Sequence, residues 1–263
     1  MHIFYSLSFG VPIVFHLLSQ NILSTFDQVI INQLMGESQA GIYSLGYKVG
    51  MILSVFIVAI LKAWTPVLYE KINEKKYKEI DVLASKYCLA VSLVALVLIL
   101  FSKEIVMILA TEDYFQIIPV IPVIVIGYLF FFYYSMYVGY AFYYKKTKLI
   151  SVFTIIAGVA NIALNYWLIP LYGYQVAAWT TLLSYLILFT LHYTNSRFNI
   201  NAERITNLKV FIVPFLFTIA ITIIGNQLDF FESDLIHFLV RGLLFTVSLM
   251  VFYVYFRKQI AVM

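Results

Sequence analysis

The stretch LAVSLVALVLILF, residues 89–101, breaks its run of apolar side chains only once, with a serine. A strand of a membrane β-barrel alternates apolar and polar residues over about 10 positions, whereas this stretch does not alternate. A helix that crosses a bilayer needs about 20 mostly apolar residues, and the apolar run around this stretch extends from 87 to 110. The stretch therefore predicts a transmembrane helix.

Apolar runs of this length recur along the whole chain. Hydrophobic residues make up 63% of the 263 residues and charged residues only 11%, with a mean hydropathy of +0.93, whereas about a quarter of the residues of a soluble domain are charged. We predict an all-α, polytopic membrane helix bundle of about eight transmembrane helices, without a separate soluble domain. The predicted spans are 4–32, 41–64, 87–110, 117–142, 149–169, 174–193, 209–227 and 236–256.

Lysine and arginine indicate the orientation of the bundle. They concentrate between spans two and three, four and five, and six and seven, and after span eight, whereas the intervening loops contain only Lys103. By the positive-inside rule both termini are predicted to be cytoplasmic. The charged loop 69–87 predicts either a short amphipathic helix on the inner surface, supported by a Glu74–Lys78 pair, or a solvated linker.

Two charges lie inside the first two predicted spans. In FDQVIINQLMGESQAGIYSLGYKVG, residues 26–50, a short turn separates Asp27 from Lys48. At 1.5 Å per residue both lie roughly 8 to 10 Å deep, where isolated charges are costly and usually face a partner or a water-filled cavity. We predict that Asp27 and Lys48 face one cavity and pair when it is empty. A purely structural ion pair, or snorkelling to the interface, is the alternative.

Spans one and five each carry a polar stripe. Helical spacing confines each stripe to an arc of about 80°, so it faces protein or water rather than lipid. Such stripes line a polar pathway or hold neighbouring helices together, and for His16 a buried, satisfied histidine is the alternative. The first stripe consists of His16, Gln20, Ser24 and Asp27, and the second of Ser151, Thr154, Gly158, Asn161 and Asn165.

Two further features lie near the predicted membrane boundaries. Arg241, a few residues inside the outer end of span eight, is either a second cation that lines the cavity or an anchor that snorkels outward. Tyrosines at helical spacing near the cytoplasmic end of span four are typical of interface anchors, with stacking on sugar rings as the alternative. They are Tyr133, Tyr137, Tyr140 and Tyr144.

The sequence gives little support for an enzyme. The predicted outer loops are short, and their acidic segments, TED (111–113) and ESD (232–234), contain no histidine. No Gly-rich phosphate loop occurs, and a single cysteine, Cys88, forms neither an internal disulfide nor a metal cluster. We predict no cofactor, no metal and no nucleic-acid partner. A pathway for a polar or charged solute is better supported, and Lys48 suits an anionic phosphate.

Several short motifs, in their order and spacing, resemble those of the polysaccharide flippases. These O-antigen and capsule exporters belong to the multidrug/oligosaccharidyl-lipid/polysaccharide exporter superfamily. Gln28 departs from the pattern, because the family usually has an arginine beside the aspartate. The motifs are STFDQVIINQLMGESQAGIYSLGYKVG (24–50), AWTPVLYEKIN (63–73) and ANIALNYWLIPLYGYQVAAWTTLLSYL (160–186), and the matching residues are Asp27, Gly41 to Ser44, Tyr47, Lys48, Trp64, Pro66, Asn161, Asn165, Pro170 and Gly173.

The resemblance implies an architecture and an activity. Family members have two six-helix bundles that face each other across a central cavity; residues 1–196 resemble the second bundle, and residues 197–263 add two transmembrane helices. In the bacterial inner membrane the family moves an undecaprenyl-pyrophosphate-linked oligosaccharide from the cytoplasmic to the outer leaflet by alternating access. The implied partners are membrane lipid, the lipid-linked oligosaccharide, and a separate N-terminal six-helix half or polysaccharide-assembly proteins.

The expected substrate path combines charged and polar residues of spans one, two, five and eight. Asp27 or His16 is the expected ion-coupling residue. The alternatives are another exporter of the superfamily, for drugs or lipid II, a membrane enzyme such as a polymerase that uses Asp113 or Asp234, or an inactive remnant. The expected substrate path consists of Lys48, Asp27, His16, Gln20, Asn161, Asn165 and Arg241.

Overall fold

The computed structural model describes residues 25–200, 202–227 and 234–260 of the chain. Within these residues the regular secondary structure is entirely helical, and no strand occurs. The helices are α1 (25–35), α2 (Glu37–Asn73), α3 (Tyr77–Leu100), α4 (Ser102–Leu109), a 3-10 helix (Glu112–Val120), α5 (Ile121–Tyr143), α6 (Lys148–Tyr172), α7 (Val176–Thr194), a π-helical turn (Asn195–Asn199), α8 (Lys209–Gln227) and α9 (Asp234–Ile260).

The length and composition of these helices confirm an all-α, polytopic membrane bundle. Six helical segments in the described residues are long and apolar enough to cross a membrane, and Lys209–Gly225 is a shorter apolar helix. The predicted first span lies mostly outside the described residues. The six segments are Glu37–Asn73, Tyr77–Leu100, Glu112–Tyr143, Lys148–Tyr172, Val176–Asn199 and Ile236–Tyr255.

The charged segment 69–87 does not form a helix of its own. Instead α2 continues to Asn73 and α3 begins at Tyr77, so that the segment extends both helices on either side of a tight turn. Lys75 makes this turn with a positive φ of 56°. The prediction of a separate surface helix was therefore wrong, because the helices continue past the apolar runs from which the spans were read.

Ion pairs hold the turn between α2 and α3. Lys71 Nζ lies 3.1 Å from Glu74 Oε2 and 3.2 Å from Glu79 Oε2, which joins the end of α2 to the start of α3. Glu74 also pairs with Lys76 at 3.1 Å rather than with the predicted Lys78. The contacts from Lys76 and Lys71 lower the pKa of Glu74 below its usual value.

The described chain divides into two compact units, with boundaries inside α2 and α5. The first unit takes its residues from 25–48 and 126–205, and the second from 49–125 and 206–260. In the second unit α3 packs against α8 and α9. Its apolar core joins these three helices, with the rings of Phe217 and Phe252 at 4.7 Å.

The first unit has an aromatic core in which α5 meets α7. The Tyr134 ring stacks on Tyr185 at 6.2 Å and on His192 at 5.5 Å. Tyr137 packs edge-on against Tyr193 at 5.4 Å. The expectation that the tyrosines of span four anchor the bundle at the interface was wrong for three of them, because their spacing directs them inward. Tyr133, Tyr137 and Tyr140 are at most 1% exposed.

Candidate functional site

A buried carboxylate is the centre of the polar residues in the first unit. Asp27, on α1, is 0% exposed. Its carboxylate accepts hydrogen bonds from the Tyr43 hydroxyl of α2 at 3.0 Å, the Asn165 amide of α6 at 2.6 Å and the Thr181 hydroxyl of α7 at 2.5 Å. Four helices therefore meet at one acid.

A second layer of hydrogen bonds orients these donors. Asn161 donates to the Thr181 hydroxyl at 3.0 Å, and the Asn165 side-chain amide also donates to Asn161 Oδ1 at 3.3 Å. Thr180 donates to the Asn165 side-chain oxygen. Asp27, Tyr43, Asn161, Asn165, Thr180 and Thr181 form what we call the Asp27 network, and each member is at most 7% exposed.

The partners of Asp27 within the network are all neutral. Burying a charge is costly unless it is paired and hydrogen-bonded, and charge-assisted hydrogen bonds are about twice as strong as neutral ones. Three donors offset much of this cost for an ionised Asp27, but they bring no positive charge. The network therefore satisfies the Asp27 carboxylate with hydrogen bonds but provides no cationic partner among its own members.

Small and polar residues explain why α6 and α7 form this site. The polar stripe predicted on span five is the buried face of α6, where Ser151, Thr154 and Gly158 lie in line with the two asparagines. On α7 the facing residues are also small, including Ala177 and Ser184. Small residues let membrane helices approach closely, and polar side chains then bond across the contact.

The predicted pair of Asp27 and Lys48 is not formed. Lys48 is exposed, and the Asp27 carboxylate is bound by Tyr43, Asn165 and Thr181 instead. Lys48 follows Tyr43 by five positions, which places it about 140° around α2 from the side that reaches Asp27. The two residues therefore do not face one cavity within the first unit: Asp27 lies in its interior and Lys48 on its surface.

The other predicted site residues have different outcomes. Asn161 and Asn165 join Asp27 as part of its network, whereas His16 and Gln20 lie outside the described residues. Arg241 belongs to the second unit, where it is 9% exposed and its Nη1 atom lies 3.2 Å from Glu104 Oε1. Arg241 is thus buried beside an acid, and it does not snorkel as an exposed anchor.

Sequence reasoning missed Tyr43, Thr180 and Thr181. Tyr43 lies in the GIYS motif, residues 41–44, which is part of the family resemblance but does not by itself indicate a role for the tyrosine side chain. The two threonines lie next to each other in an otherwise apolar helix, and the buried positions 177, 180, 181, 184 and 188 follow a helical period. That period was the available signal for a buried polar face on α7.

A protein-family model described as MatE matches residues 12–167, which is more than half of the chain. The chain belongs to the MatE family. MatE proteins are membrane transporters of the multidrug/oligosaccharidyl-lipid/polysaccharide exporter superfamily, which includes the polysaccharide flippases. The resemblance stated from the motifs is confirmed at this level.

Two curated relatives of this MatE chain come from Haemophilus influenzae. The chain is 27% identical to "Lsg locus putative protein 1" over 169 residues, 61% of the chain and 41% of the relative. It is 37% identical to "Uncharacterized membrane protein" over 75 residues, 28% of the chain and 18% of that relative. The chain thus spans less than half the length of the curated relatives it matches. No solved structure matches the chain.

The MatE match covers only part of the residues described above. It includes Asp27, Tyr43 and Lys48 as well as both asparagines of α6, whereas Thr181 and Arg241 lie beyond residue 167. Asp27 lies near the N-terminal end of the matched region, and Asn161 and Asn165 lie near its C-terminal end. The family region of this MatE chain therefore contains the carboxylate and most of its donors.

We expect the Thr181→Val variant to unfold more easily than the parent protein. Valine keeps the shape but removes the hydroxyl that donates to Asp27 and accepts from Asn161. Loss of buried hydrogen bonds of this kind costs about 1–3 kcal/mol. The measurement is the free energy of unfolding in detergent, by titration with a denaturing detergent.

Thr190→Val is the matched control on the same helix. Its hydroxyl is exposed and bonds to the Leu186 carbonyl of its own helix at 2.9 Å. The control should change stability by less than about 0.5 kcal/mol. Equal losses for the two variants would contradict a stabilising role for the Asp27 network.

Proposed function

We propose that the chain acts in flipping lipid-linked oligosaccharides. In this proposal an undecaprenyl-pyrophosphate-linked repeat unit moves from the cytoplasmic to the outer leaflet of the bacterial inner membrane by alternating access. Membership of the MatE family supports transport in general. The observation that favours this substrate is Lys48, an exposed cation on a helix long and apolar enough to cross a membrane.

An exposed lysine on such a helix requires an explanation. Lys48 lies eleven residues into α2, roughly 16 Å along its axis, and Met51, Ile52 and Val55 nearby are at least half exposed. A charge inside the bilayer faces water, a partner or a bound ion rather than lipid. A cation on an otherwise apolar face suits an anionic pyrophosphate, whereas an exporter of cationic drugs would need acids there.

Asp27 is the residue that we assign to ion coupling. An ionisable group buried among membrane helices is by default a candidate for function, and the neutral partners of Asp27 leave its charge to be balanced by an incoming cation. His16, the other candidate, lies outside the described residues. In this assignment, cation binding at Asp27 shifts the balance between the inward-open and outward-open states.

The proposal includes a partner for the substrate path. In the family architecture a second six-helix bundle faces this one across a central cavity, so a separate N-terminal half or a polysaccharide-assembly protein would supply the opposite wall. Membrane lipid and the lipid-linked oligosaccharide are the remaining partners. Lys48 and Gln20 would contribute polar groups to this path, whereas Asn161 and Asn165, which are buried, would act through the Asp27 network.

Complementation tests the proposed function. In a strain that lacks its own flippase, we would quantify surface polysaccharide with this chain alone and with the first six spans of a related flippase supplied as a separate polypeptide. We expect export only with the added half. Export by the chain alone would support flipping but contradict the account of two halves.

Two other outcomes would favour different functions. Absence of export with every added half, combined with export of a cationic drug by the same cells, would replace the oligosaccharide with another cargo of the superfamily. Normal flipping but shortened polysaccharide chains in a strain deleted for this gene would favour a polymerase. Both outcomes would overturn the substrate that we propose.

A further inference from the structure

We propose that the second unit holds a phosphate-binding site for a membrane phospholipid at Arg241. The site is a cavity of about 260 Å³ whose wall includes Arg241 and the Ser102 hydroxyl group, with Ile99, Ile118 and Pro122 as apolar lining. All of these residues belong to the second unit. The Arg241 site is independent of the proposed transport function, because it lies in a different unit from Asp27 and Lys48.

The cation in this cavity is of the type that recognises phosphate. A guanidinium presents a planar fork of N–H donors whose geometry matches both carboxylate and phosphate oxygens. Arg241 Nη1 lies 3.2 Å and 3.4 Å from the two carboxylate oxygens of Glu104. A phosphate group has similar geometry, so it can bind the Arg241 guanidinium together with the Glu104 carboxylate or in place of it.

The start of α4 adds to the positive field of the cavity. Ser102 is the first residue of α4 and is 6% exposed, and no side chain caps this helix end. The N-terminus of a helix carries a partial positive charge and points N–H groups outward, which favours an anion. Lys103 and Glu104 both follow in the same turn, so their opposite charges balance there.

Stability alone does not explain a buried ion pair beside a cavity. Arg241 and Glu104 have side-chain exposures of 10% and 25%. Removing two charges from water costs several kcal/mol per ion, so a buried pair contributes little net stability compared with apolar residues of similar size. An ion-paired arginine in the wall of a cavity fits a binding role better than a packing role.

The size and surroundings of the cavity identify the ligand as a lipid headgroup. Pockets for drug-sized molecules measure about 300–1,000 Å³, so this cavity has room for a phosphate group but not for an oligosaccharide repeat unit. The rest of the cavity wall is largely apolar, with Ile99, Leu100, Ile118, Pro119 and Pro122, and is suited to the part of an acyl chain next to the headgroup.

A glycine shapes one wall of the cavity. A Cβ atom at Gly225 would lie 2.8 Å from Leu100 Cδ2, and both residues line the cavity. An alanine here would push the Leu100 side chain, which is flexible at its end, into a new position. The glycine thus allows α8 to approach α3 closely where the cavity forms.

Lipid binding by charge variants tests this site. We would titrate dioleoyl phosphatidylglycerol into the full chain in non-ionic detergent and count bound lipid by native mass spectrometry. Arg241→Gln should weaken binding roughly tenfold, about the loss of one charge-assisted hydrogen bond. Glu104→Gln should strengthen binding, because it removes the competing carboxylate. Arg257→Gln, at an exposed position near the other end of α9, should leave binding unchanged.

Opposite effects of Arg241→Gln and Glu104→Gln on lipid binding would distinguish a binding role of the pair from a purely structural role. If the pair were only structural, both variants would lower the unfolding temperature and neither would change bound lipid selectively. Dioleoylglycerol, which has the same acyl chains without phosphate, should not bind at this site. Equal binding of the two lipids, or an Arg241→Gln variant that binds like the parent, would overturn the proposal.

Inorganic phosphate distinguishes the source of the phosphate group. If millimolar phosphate displaces the lipid, the site recognises the free ion as well, and the phosphate chemistry of the proposal stands. If phosphate does not displace the lipid, the acyl chains are part of recognition, and the site is specific for a phospholipid. Because the readout is binding rather than export, its failure leaves the proposed transport function untouched.

Discussion

The Asp27→Asn variant is expected to lose export of lipid-linked oligosaccharide down to the level of a strain without the chain. Asparagine has nearly the same size as aspartate, but it has one acceptor oxygen instead of two and cannot carry a negative charge. The donors from Tyr43, Asn165 and Thr181 would then face an NH₂ group in place of one of the two carboxylate oxygens. A coupling cation would also lose the charge that binds it.

The same substitution should lower stability by about 1–3 kcal/mol, the cost of a buried polar group left without its partner. Loss of export must therefore be separated from loss of protein. Thr181→Val, which removes a donor but keeps the carboxylate, gives a comparable loss of stability. We expect Thr181→Val to retain export at equal protein level, and Asp27→Asn to lose it.

Asp113→Asn is the control that addresses the alternative of a polymerase. Asp113 is exposed in the 3-10 helix before α5 and lies in one of the two acidic segments predicted for the outer side. We expect no effect of this substitution on export. Full activity of Asp27→Asn together with loss of activity in Asp113→Asn would contradict the transport account and favour chemistry in the outer loops.

The Lys48→Ala variant is expected to abolish export while leaving the amount of protein unchanged. Lys48 is exposed, and among the described residues it has neither a hydrogen bond nor an ion pair. Its removal should therefore change the free energy of unfolding by less than about 0.5 kcal/mol. The loss of export would follow from the loss of a positive charge opposite the pyrophosphate.

Two further variants control for this prediction. Lys48→Arg keeps the charge and should retain a substantial part of the export activity. Lys148→Ala removes an exposed lysine at the start of α6, on the predicted cytoplasmic side, and should have no effect. Unchanged surface polysaccharide in Lys48→Ala would exclude this lysine from the substrate path.

The fold class could be predicted from the sequence because bilayer thickness limits helix length. The limit also explains the errors in helix boundaries. Hydropathy detects the apolar part of a helix, so the third span was predicted over 87–110, whereas α3 runs from Tyr77 to Leu100 and α4 follows separately. Charged residues before 87 continue the helix outside the apolar run, where hydropathy gives no signal.

The polar stripe of α6 was predicted, but the partner of Asp27 was not. Sequence proximity suggested Lys48, 21 positions away, whereas the observed partners Asn165 and Thr181 lie 138 and 154 positions away along the chain. Helical periodicity identifies which residues share a face, and it contains no information about which face of another helix lies opposite. The angle of about 140° between Tyr43 and Lys48 on α2 directs Lys48 away from Asp27. That argument, however, requires knowing that Tyr43 binds Asp27.

Photo-crosslinking from the exposed face of α2 tests the central claim most directly. A photoreactive amino acid at Ile52, one turn after Lys48 and 50% exposed, would be placed in cells that make lipid-linked oligosaccharide. The same amino acid at Val159 on α6, which is 61% exposed, serves as the lipid-facing control. We predict that position 52 captures the undecaprenyl-linked oligosaccharide and that position 159 captures only phospholipid. Capture of phospholipid alone at both positions would contradict a substrate path along α2.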